Sequence, residues 1–494
     1  MYRCFVPRVE GVWAPAVHSN CMHNEVAALG LRTMGPTPED PISEGVFDKH
    51  VEEEFKKLRL MMKRLGIRRK SREEIVAGYS GALRRRYQEA SESLDDEELG
   101  NQDYKLRAFL KGEKFNPLLK VSKPRMICPR SPRYNLELAR YLKPLEHALW
   151  KKWKVGHNCP KTRVSGKGLN GRERASLIKE KMDSVGDCLV FEVDGKAFEA
   201  HVSREQLLLE HSVYKAAYPG CVDLQNLLQC QLTLKGKTAA GIKFERDGCR
   251  ASGDFNTGLG NTMLMGSFVI AAMNKAGYGF KWTVLADGDN CLLFVERRYA
   301  SGVVERFAEL VRSVCSHEMT VEKPTTILEG VVFGQSRPCA TEAGYTMVRD
   351  PYKVLSGAFC GYRHFHEKQF APRLIRGIAL AELSLARGLP VLGAYFQTAA
   401  HLTRRFKALR NPEFFLEGHL INVVDPGPLN VTAEARTSFA LAWGIGVEEQ
   451  LALEQSLTDL LSAELLPTLQ RAAWLDDVVE VVHGRGALNG DNPA

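Results

Sequence analysis

The chain has 494 residues, a formal net charge of +8, and 44% hydrophobic and 26% charged residues. This length can bury a large core and predicts about two to four structural units of an ordinary globular protein. No apolar run reaches the roughly 18 residues that a membrane-spanning helix needs, and the charged, proline-containing N-terminus is not typical of a signal peptide.

Twelve cysteines are scattered through the chain without any C-x-x-C pair. Some of them, such as Cys188 and Cys291, lie in apolar runs that are typical of strands. This pattern disfavours both a zinc site and a disulfide framework, so we expect free thiols in a reducing compartment.

Apolar periodicity predicts two helices before the first strongly charged segment. Val51, Phe55, Leu58 and Met62 recur at helical spacing, and a second helix is predicted over 72–94. No chemistry can be assigned to the proline-rich residues that precede them.

The most basic part of the chain is the segment 105–174, which contains 19 lysines and arginines against 4 aspartates and glutamates. Prolines divide it into loops and short strands, with glycines and aromatic residues between the charges. Such a segment favours a nucleic acid or nucleotide partner, and a solvated charged face is the alternative. Stiff, extended cations suit a triphosphate, or more generally an RNA backbone: Lys111, Lys114, Lys120, Lys123, Arg125, Arg130 and Arg133.

Helices and strands then follow one another without repeated βαβ units. A helix over 135–153, kinked at Pro144, and another over 173–184 precede a buried strand at 188–194. The later elements are a helix, a hairpin region over 230–251, a long apolar helix, a strand–turn–strand, a helix and further strands. From about residue 351 onward the pattern is mainly helical. This mixture predicts an α+β fold.

Two acids at the ends of predicted strands are candidate metal ligands. Asp194 ends the run CLVFEVD, and Asp289 lies at the turn of VLADGDNCLLF, where Asp-Gly is a hairpin signal. Phosphoryl transfer to a hydroxyl uses two divalent cations, which prefer carboxylate oxygens. Acids are also common in ordinary turns, so these two residues alone leave both interpretations open.

A third candidate is the run SGDFNTGLGN, residues 252–261, which leads into the long apolar helix. Its three glycines and small polar side chains can approach a sugar-phosphate closely. The alternative is a plain N-capped helix with a flexible lead-in.

The order of these features resembles the motif series of viral RNA-dependent RNA polymerases, in particular the tombusvirus-like enzymes. The run KVSKPRMICPRSPRYNLELARYLKPLE resembles their triphosphate-contacting finger motif, and YSGALRRRYQEASESL resembles an upstream fingers segment. VDGKAFEAHVS resembles the first palm motif, usually D-x-x-x-x-D, and SGDFNTGLGN resembles the second, S-G-x-x-x-T-x-x-x-N. GDNCLLF resembles the third motif, usually Gly-Asp-Asp. The resemblance covers roughly residues 75–355.

This resemblance implies a right-handed palm–fingers–thumb polymerase with an antiparallel palm sheet and flanking helices. Its expected parts are an N-terminal extension over 1–75, fingers over 76–187 and 215–250, palm over 188–214 and 251–350, thumb over 351–480, and a flexible tail over 481–494. The implied function is template-directed RNA synthesis from ribonucleoside triphosphates, which replicates a viral RNA genome. The alternative is a catalytically inactive homologue that acts as an RNA-binding scaffold of a replication complex. A reverse transcriptase is disfavoured, because the polar loop suits ribonucleotides.

The resemblance also implies roles for individual residues. Two Mg²⁺ or Mn²⁺ ions would be held by Asp194, Asp289 and Asn290. Nucleotide-binding residues would be Lys123, Arg125, Arg130, Arg133, Glu199, Ser252, Thr257 and Asn261. RNA-binding residues would be Lys111, Lys114, Lys120 and Gly253.

Two positions depart from the pattern of this family. Glu199 replaces the second aspartate of the first palm motif and is one methylene longer. Asn290 replaces the last aspartate of the hairpin, and its neutral amide should lower metal affinity and shift the preference toward Mn²⁺. Asp287 is expected on the same strand face as Asp289, where it would compensate in part.

The resemblance implies partners and a location as well. The expected partners are RNA and ribonucleoside triphosphates, with a membrane-associated replication complex as a candidate partner and the oligomeric state left open. The expected location is the host cytoplasm, with membrane-bound replication sites as its more specific form.

Overall fold

The computed structural model describes residues 1–37, 47–361, 365, 367–409, 430–471 and 481–482. Helices and mostly antiparallel strands are mixed along the chain, so the predicted α+β class is confirmed. The N-terminal elements are β1 (Tyr2–Arg3), β2 (Val17–His18), α1 (Met22–Ala28), α2 (Lys49–Leu65), α3 (Arg72–Ala77) and α4 (Gly81–Asp96).

The middle of the chain alternates between short strands and longer helices. Its first elements are β3 (Leu106–Leu110), β4 (Met126–Ile127), α5 (Pro132–Lys152), β5 (Lys154–Val155), β6 (Thr162–Arg163) and α6 (Gly171–Val185). These are followed by β7 (Cys188–Gly195), α7 (Phe198–His201), α8 (Arg204–Ala217), α9 (Val222–Gln229), β8 (Thr233–Thr238), β9 (Lys243–Asp247) and α10 (Thr257–Ala276).

The chain continues with β10 (Trp282–Asp287), β11 (Asn290–Glu296), α11 (Ala300–Cys315), β12 (Met319–Val321), β13 (Ser336–Thr341) and β14 (Gly344–Arg349). From residue 351 onward the described elements are mainly helical, as the sequence predicted. The remaining described elements are α12 (Pro351–Gly357), β15 (Cys360–Gly361), α13 (Ala371–Ala386), α14 (Leu392–Leu402), α15 (Ala433–Trp443), α16 (Val447–Leu460), α17 (Leu466–Arg471) and β16 (Val481–Val482). Within the described ranges, no helix combines the length and apolarity needed to cross a bilayer.

The sheet that positions the candidate site is antiparallel, with strand order β10-β11-β7-β12, and is called the central sheet below. Phe191 and Val193 on one face of β7 belong to the large core built with α10 and α11. Val190, on the other face, packs against Ile178 of α6 and Phe294 of β11. Because both faces are covered, β7 has a nearly continuous apolar run up to Asp194.

A second four-stranded sheet, with order β4-β3-β8-β9, connects the basic segment to the hairpin predicted over 230–251. Strands β8 and β9 form that hairpin, with Thr233 opposite Asp247. Strands β3 and β4 come from the basic segment, and β3 pairs in parallel with β8. The basic segment is therefore part of a folded sheet.

Two element predictions need correction. The helix predicted over 72–94 is two helices, because α3 ends at Ala77 and α4 begins only at Gly81, which has a φ of +58°. The apolar run after Ile327, predicted as a strand, contains only a single 3₁₀ turn over Leu328–Gly330 before β13. Of the predicted tail, only residues 481–482 are described; they form β16, which pairs in parallel with β2. Residues 483–494 lie outside the described part of the chain.

Candidate active site

Asp194 and Asp289 lie side by side at one end of the central sheet. Asn290, the first residue of β11, is the direct cross-strand partner of Asp194 on β7. The backbone N–H of Gly195 donates a hydrogen bond to the carbonyl oxygen of Asp289 at 3.1 Å. Because neighbouring strands are only about 4.8 Å apart, the two carboxylates belong to one site. The structure thus brings together the two strand ends that the sequence selected.

These carboxylates repel each other. The pKa of Asp194 is raised to about 6, first by burial and then by the negative charges of Asp289 and Glu322. The guanidinium of Arg125 acts in the opposite direction. A bound cation would relieve the repulsion, which makes the electrostatics of this sheet end suitable for a divalent ion.

Glu192, two residues before Asp194, is an acid that the sequence analysis missed. The residue is only 8% exposed, and within the described part of the chain its Oε1 has no hydrogen-bond partner. Burial raises its pKa to about 8, and the charges of Asp194, Glu322 and Asp289 add to this effect. Its position inside an apolar strand gave no signal of a functional role, and only the register places it beside the site.

We expect the Glu192→Gln substitution to remove a pH dependence of stability. The folded-state pKa of about 8 lies above the ordinary value of 4.5, so the folded protein binds the extra proton between these values. Glu192 therefore makes its full contribution to the free energy of unfolding below pH 4.5, and this contribution is lost as the pH rises toward 8. The variant should match the wild type at low pH and be more stable above pH 8.

The measurement is urea unfolding across this pH range, in a chelator that keeps divalent ions off the carboxylates. The difference between the two proteins is compared at each pH, so that other titrating groups cancel. A difference that does not change with pH would show that Glu192 is ionised in the folded protein.

Asp287 is held by two cations. Its carboxylate oxygens lie 2.5 Å from Lys167 Nζ and 2.6 Å from Arg174 Nη2. Arg174 also donates to the carbonyl oxygen of Gly166, whose N–H donates to the carbonyl oxygen of Ala286. Asp287 therefore fastens the glycine-rich loop of the basic segment to the hairpin. Its charge is already neutralised, which argues against the predicted compensation for Asn290.

The loop over 252–261 lies against β4. The N–H of Cys128 donates to the carbonyl oxygen of Ser252 at 2.5 Å. Gly253 has a φ of +115°, and a Cβ there would lie 2.9 Å from Ile127 Cγ2, so this position requires glycine. The Thr257 hydroxyl donates to the carbonyl oxygen of Ala251 at 2.8 Å. The loop is thus a fixed turn held by the basic segment.

The predicted triphosphate ligands have different surroundings. Arg130 is 3% exposed, forms an ion pair with Asp254 and donates to the carbonyl oxygens of Tyr104 and Cys230. Arg133 contacts Asp103, Ser93 and the carbonyl oxygens of Glu97 and Glu98. The donors of both guanidiniums are thus engaged within the protein.

Arg125 is the predicted arginine that faces the acids. Burial raises the pKa values of Asp194 and Glu199, and the positive charge of Arg125 opposes this rise. Its ion pair with Glu113 is long, at 3.4 Å. Lys123 is exposed and, within the described residues, has no ion pair. Among the predicted triphosphate ligands, these two side chains are the ones available to a ligand at the site.

The predicted RNA-binding lysines Lys111, Lys114 and Lys120 are all exposed. Lys111 pairs with Glu113 at 2.5 Å, and Lys114 donates to the carbonyl oxygen of Gly357 at 2.7 Å. Because all three side chains are exposed, their ammonium groups are accessible to phosphate groups.

A buried polar network supports the start of α10. Arg250 forms an ion pair with the fully buried Glu210, and its Nε donates to Asn261 Oδ1 at 3.0 Å. A Cβ at Gly260 would lie 2.4 Å from atoms of both charged side chains, which explains the glycine there. The backbone N–H of Arg250 donates to the carbonyl oxygen of Glu199 at 2.8 Å. The network therefore connects Asn261 to Glu199, whose pKa burial raises.

Comparison with known proteins agrees with this geometry. A family model described as viral RNA dependent RNA polymerase matches residues 6–463. The chain belongs to this viral polymerase family. It is 34% identical over 408 residues to the RNA-directed RNA polymerase of Turnip crinkle virus, which is 80% of this chain and 51% of that protein. It is 33% identical over 387 residues to the polymerase of Tomato bushy stunt virus (strain Cherry), which is 77% of this chain and 46% of that protein.

The RNA-directed RNA polymerase of Carnation mottle virus is similar as well, with 31% identity over 400 residues that make up 79% of this chain and 51% of that protein. The chain thus spans about half the length of these curated relatives. The matched residues include the central sheet, the loop over 252–261 and the basic segment.

Polymerases of this family use divalent metal ions, and the residues at the end of the central sheet fit such ions. Within the described residues, no group of three or more His, Cys, Asp or Glu could hold an ion by itself. Mg²⁺, however, is usually bound by one or two carboxylates together with substrate phosphates and water. The pair Asp194 and Asp289, with their unfavourable mutual repulsion, fits that arrangement.

Proposed function

We propose that this chain carries out template-directed RNA synthesis from ribonucleoside triphosphates and so replicates a viral RNA genome. The single observation that supports this most strongly is the register that sets Asp194 opposite Asn290 and beside Asp289. In this reaction a 3′-hydroxyl oxygen bonds to the α-phosphorus of the nucleotide, and the bond to the β-phosphate oxygen breaks to release pyrophosphate. A site for that reaction needs concentrated negative ligands for cations next to cations for the triphosphate.

Asp194, Asp289 and the amide oxygen of Asn290 are the residues proposed to hold two Mg²⁺ or Mn²⁺ ions. Ions bound there would stabilise the attacking and leaving oxygens. Because Asn290 contributes no charge, the protein supplies only two carboxylates, and the affinity for Mg²⁺ should be lower than with a third.

The remaining residues would bind and orient the nucleotide. Arg125 and Lys123 would pair with the triphosphate, and the small polar side chains of Ser252, Thr257 and Asn261 would lie along the ribose with Glu199. Arg130 and Arg133 would act indirectly, since their ion pairs with Asp254 and Asp103 hold the loop and the basic segment in place. Lys111, Lys114, Lys120 and Gly253 would contact the RNA strands.

On this basis, we assign the structural elements to the palm, fingers and thumb of a polymerase. The central sheet with α10 and α11 would be the palm, and the basic segment with the second sheet would belong to the fingers. The helical region after α12 would be the thumb. Residues 1–75 would contact both the thumb and the palm, because β1 pairs with β15 and α2 packs on α8. Synthesis in the host cytoplasm, in a membrane-associated replication complex, is the setting proposed for this activity.

The test is extension of a primed RNA template by the purified chain, in Mg²⁺ and separately in Mn²⁺. We expect extension in both, with the higher rate in Mn²⁺, because the neutral Asn290 weakens the binding of the harder ion. The Asn290→Asp variant should need less Mg²⁺ for half-maximal rate, and its preference for Mn²⁺ should fall.

No extension in either metal on several templates, together with intact RNA binding, would contradict the proposal. That result would favour the inactive, RNA-binding homologue. An Asn290→Asp variant with the same metal dependence as the wild type would remove Asn290 from the proposed metal ligands without affecting the rest.

A further inference from the structure

The first half of α4 carries three consecutive arginines, Arg84, Arg85 and Arg86, which we call the arginine surface. Residues 81–86 are exposed on every side of the helix. Within the described part of the chain, none of the three guanidiniums has an ion pair or a side-chain hydrogen bond. Consecutive positions on a helix point about 100° apart, so the three charges surround the helix end rather than line one face.

Neighbouring arginines are treated differently by the fold. Arg68 pairs with Glu74 at 2.7 Å, and Arg72 pairs with Asp95 at 2.9 Å. Arg69 donates to the Tyr141 hydroxyl at 2.9 Å. The arginine surface therefore differs from the arginines that precede it in the chain, which already have partners within the protein.

Helix stability does not account for these charges. The aligned peptide dipoles favour acids at the start of a helix and bases at its end, but α4 has no acid in its first turn and no base in its last. Its arginines lie near the start, while Asp95 and Asp96 lie at the end. Ser80 makes no capping hydrogen bond with its side chain, so the helix start has no side-chain cap either. A feature that opposes local stability in this way is typical of a functional surface.

The surroundings of α4 indicate the kind of partner. Tyr79 and Tyr87 stack on each other with ring centroids 4.8 Å apart and pack against a hydrophobic cluster. Lys143 Nζ lies 4.0 Å above the Tyr79 ring and adds a further cation at this end of α4. The other end of α4 contacts Arg133 of the basic segment through Ser93, about 12 Å along the helix from Arg85. Helix α4 thus connects the arginine surface to the basic segment.

We propose that the arginine surface binds the phosphodiester backbone of single-stranded RNA, at a site separate from the candidate active site. The contact is electrostatic and independent of base sequence, since the exposed guanidiniums would pair with phosphates and not with base edges. It would hold a strand that continues beyond the nucleotides at the central sheet. The choice of RNA as the polyanion rests on the proposed function, but the test measures binding and not synthesis.

The test compares two triple variants with the wild type in binding a short, labelled, single-stranded RNA over a range of KCl concentrations. The first is Arg84→Gln, Arg85→Gln and Arg86→Gln together. The matched control is Lys56→Gln, Lys63→Gln and Arg64→Gln on α2, which removes the same charge from exposed residues that also have no ion pair within the described residues.

We expect the first variant to bind RNA about tenfold or more weakly. The slope of log affinity against log salt should fall in magnitude by roughly 2, since each phosphate neutralised on a single strand contributes about 0.7. The control should keep the wild-type slope, because its charges are not part of the arginine surface. Thermal unfolding should show that the first variant is at least as stable as the wild type, as the helix start loses repulsion.

An unchanged slope in the first variant, or an equal loss in the control, would overturn the proposal. Loss of binding to phosphatidylserine vesicles with unchanged RNA binding would overturn it in favour of a membrane contact. Primer extension by the wild type and by the Asp289→Asn variant is measured in parallel. If the wild type cannot extend a primer but the salt slopes behave as expected, the proposed function fails while the arginine surface stands.

Discussion

The Asp289→Asn variant is expected to lose nucleotide incorporation by at least about a hundredfold while still binding RNA. The change keeps the size of the side chain but removes one of two carboxylates that meet at the end of the central sheet. Electrostatic stabilisation of the transferring phosphoryl group depends on this charge, and removing one such interaction commonly costs a hundredfold or more. RNA affinity should be equal or slightly higher, because one negative charge near the strand is gone.

The matched control for Asp289→Asn is Asp187→Asn. Asp187 lies just before β7, at the opposite end of the strand that carries Asp194, and its side chain is 78% exposed. The same chemical change there should leave the rate of incorporation unaltered. Full incorporation by the Asp289 variant would refute the argument that two carboxylates share the catalytic ions.

The Arg250→Met variant is expected to lower the free energy of unfolding by about 3–5 kcal/mol. Arg250 and Glu210 form an ion pair whose side chains are 2% and 0% exposed, so methionine would leave a buried carboxylate without its counter-charge. Asn261 would lose its hydrogen bond from Arg250 Nε as well. The measurement is urea unfolding, monitored by circular dichroism.

Two further variants separate the buried pair from a general effect of charge. The double variant Arg250→Met, Glu210→Leu removes both charges and should recover much of the lost stability, since apolar replacements of a buried pair are often tolerated. Lys235→Met breaks the cross-strand pair with Glu245, whose side chains are 66% and 57% exposed, and should cost less than about 1 kcal/mol. A small effect of Arg250→Met would mean that solvent reaches Glu210.

The parts of the site that the sequence predicted well depend on local patterns. The apolar run before Asp194 could only be a buried strand, and the Asp-Gly dipeptide required a tight turn next to Asp289. Two such strands in an antiparallel sheet bring their ends together whenever they are neighbours. The α+β class followed from the same patterns, because helical and strand periodicity alternate without βαβ units.

The parts that the sequence did not predict depend on partners far away in the chain. Arg130 looked like a free cation, but its partner Asp254 is 124 residues later. The two cations that neutralise Asp287 are Lys167, in a loop, and Arg174, on α6. Both lie more than a hundred residues earlier in the chain, and no periodicity links them to Asp287. The single helix predicted over 72–94 failed for a local reason, since a glycine with positive φ starts a second helix at residue 81.

By itself, the sequence determined which residues could form the site: the acids at two strand ends, the polar glycine loop and the basic segment, in the order typical of viral RNA polymerases. Only the tertiary structure decided which charges are available there. Ion pairing depends on three-dimensional distance and on removal from water, and neither is encoded in local spacing. That is why Arg125 faces the acids, Arg130 and Arg133 are engaged in internal contacts, Glu192 is buried beside Asp194, and the arginines of α4 are left exposed.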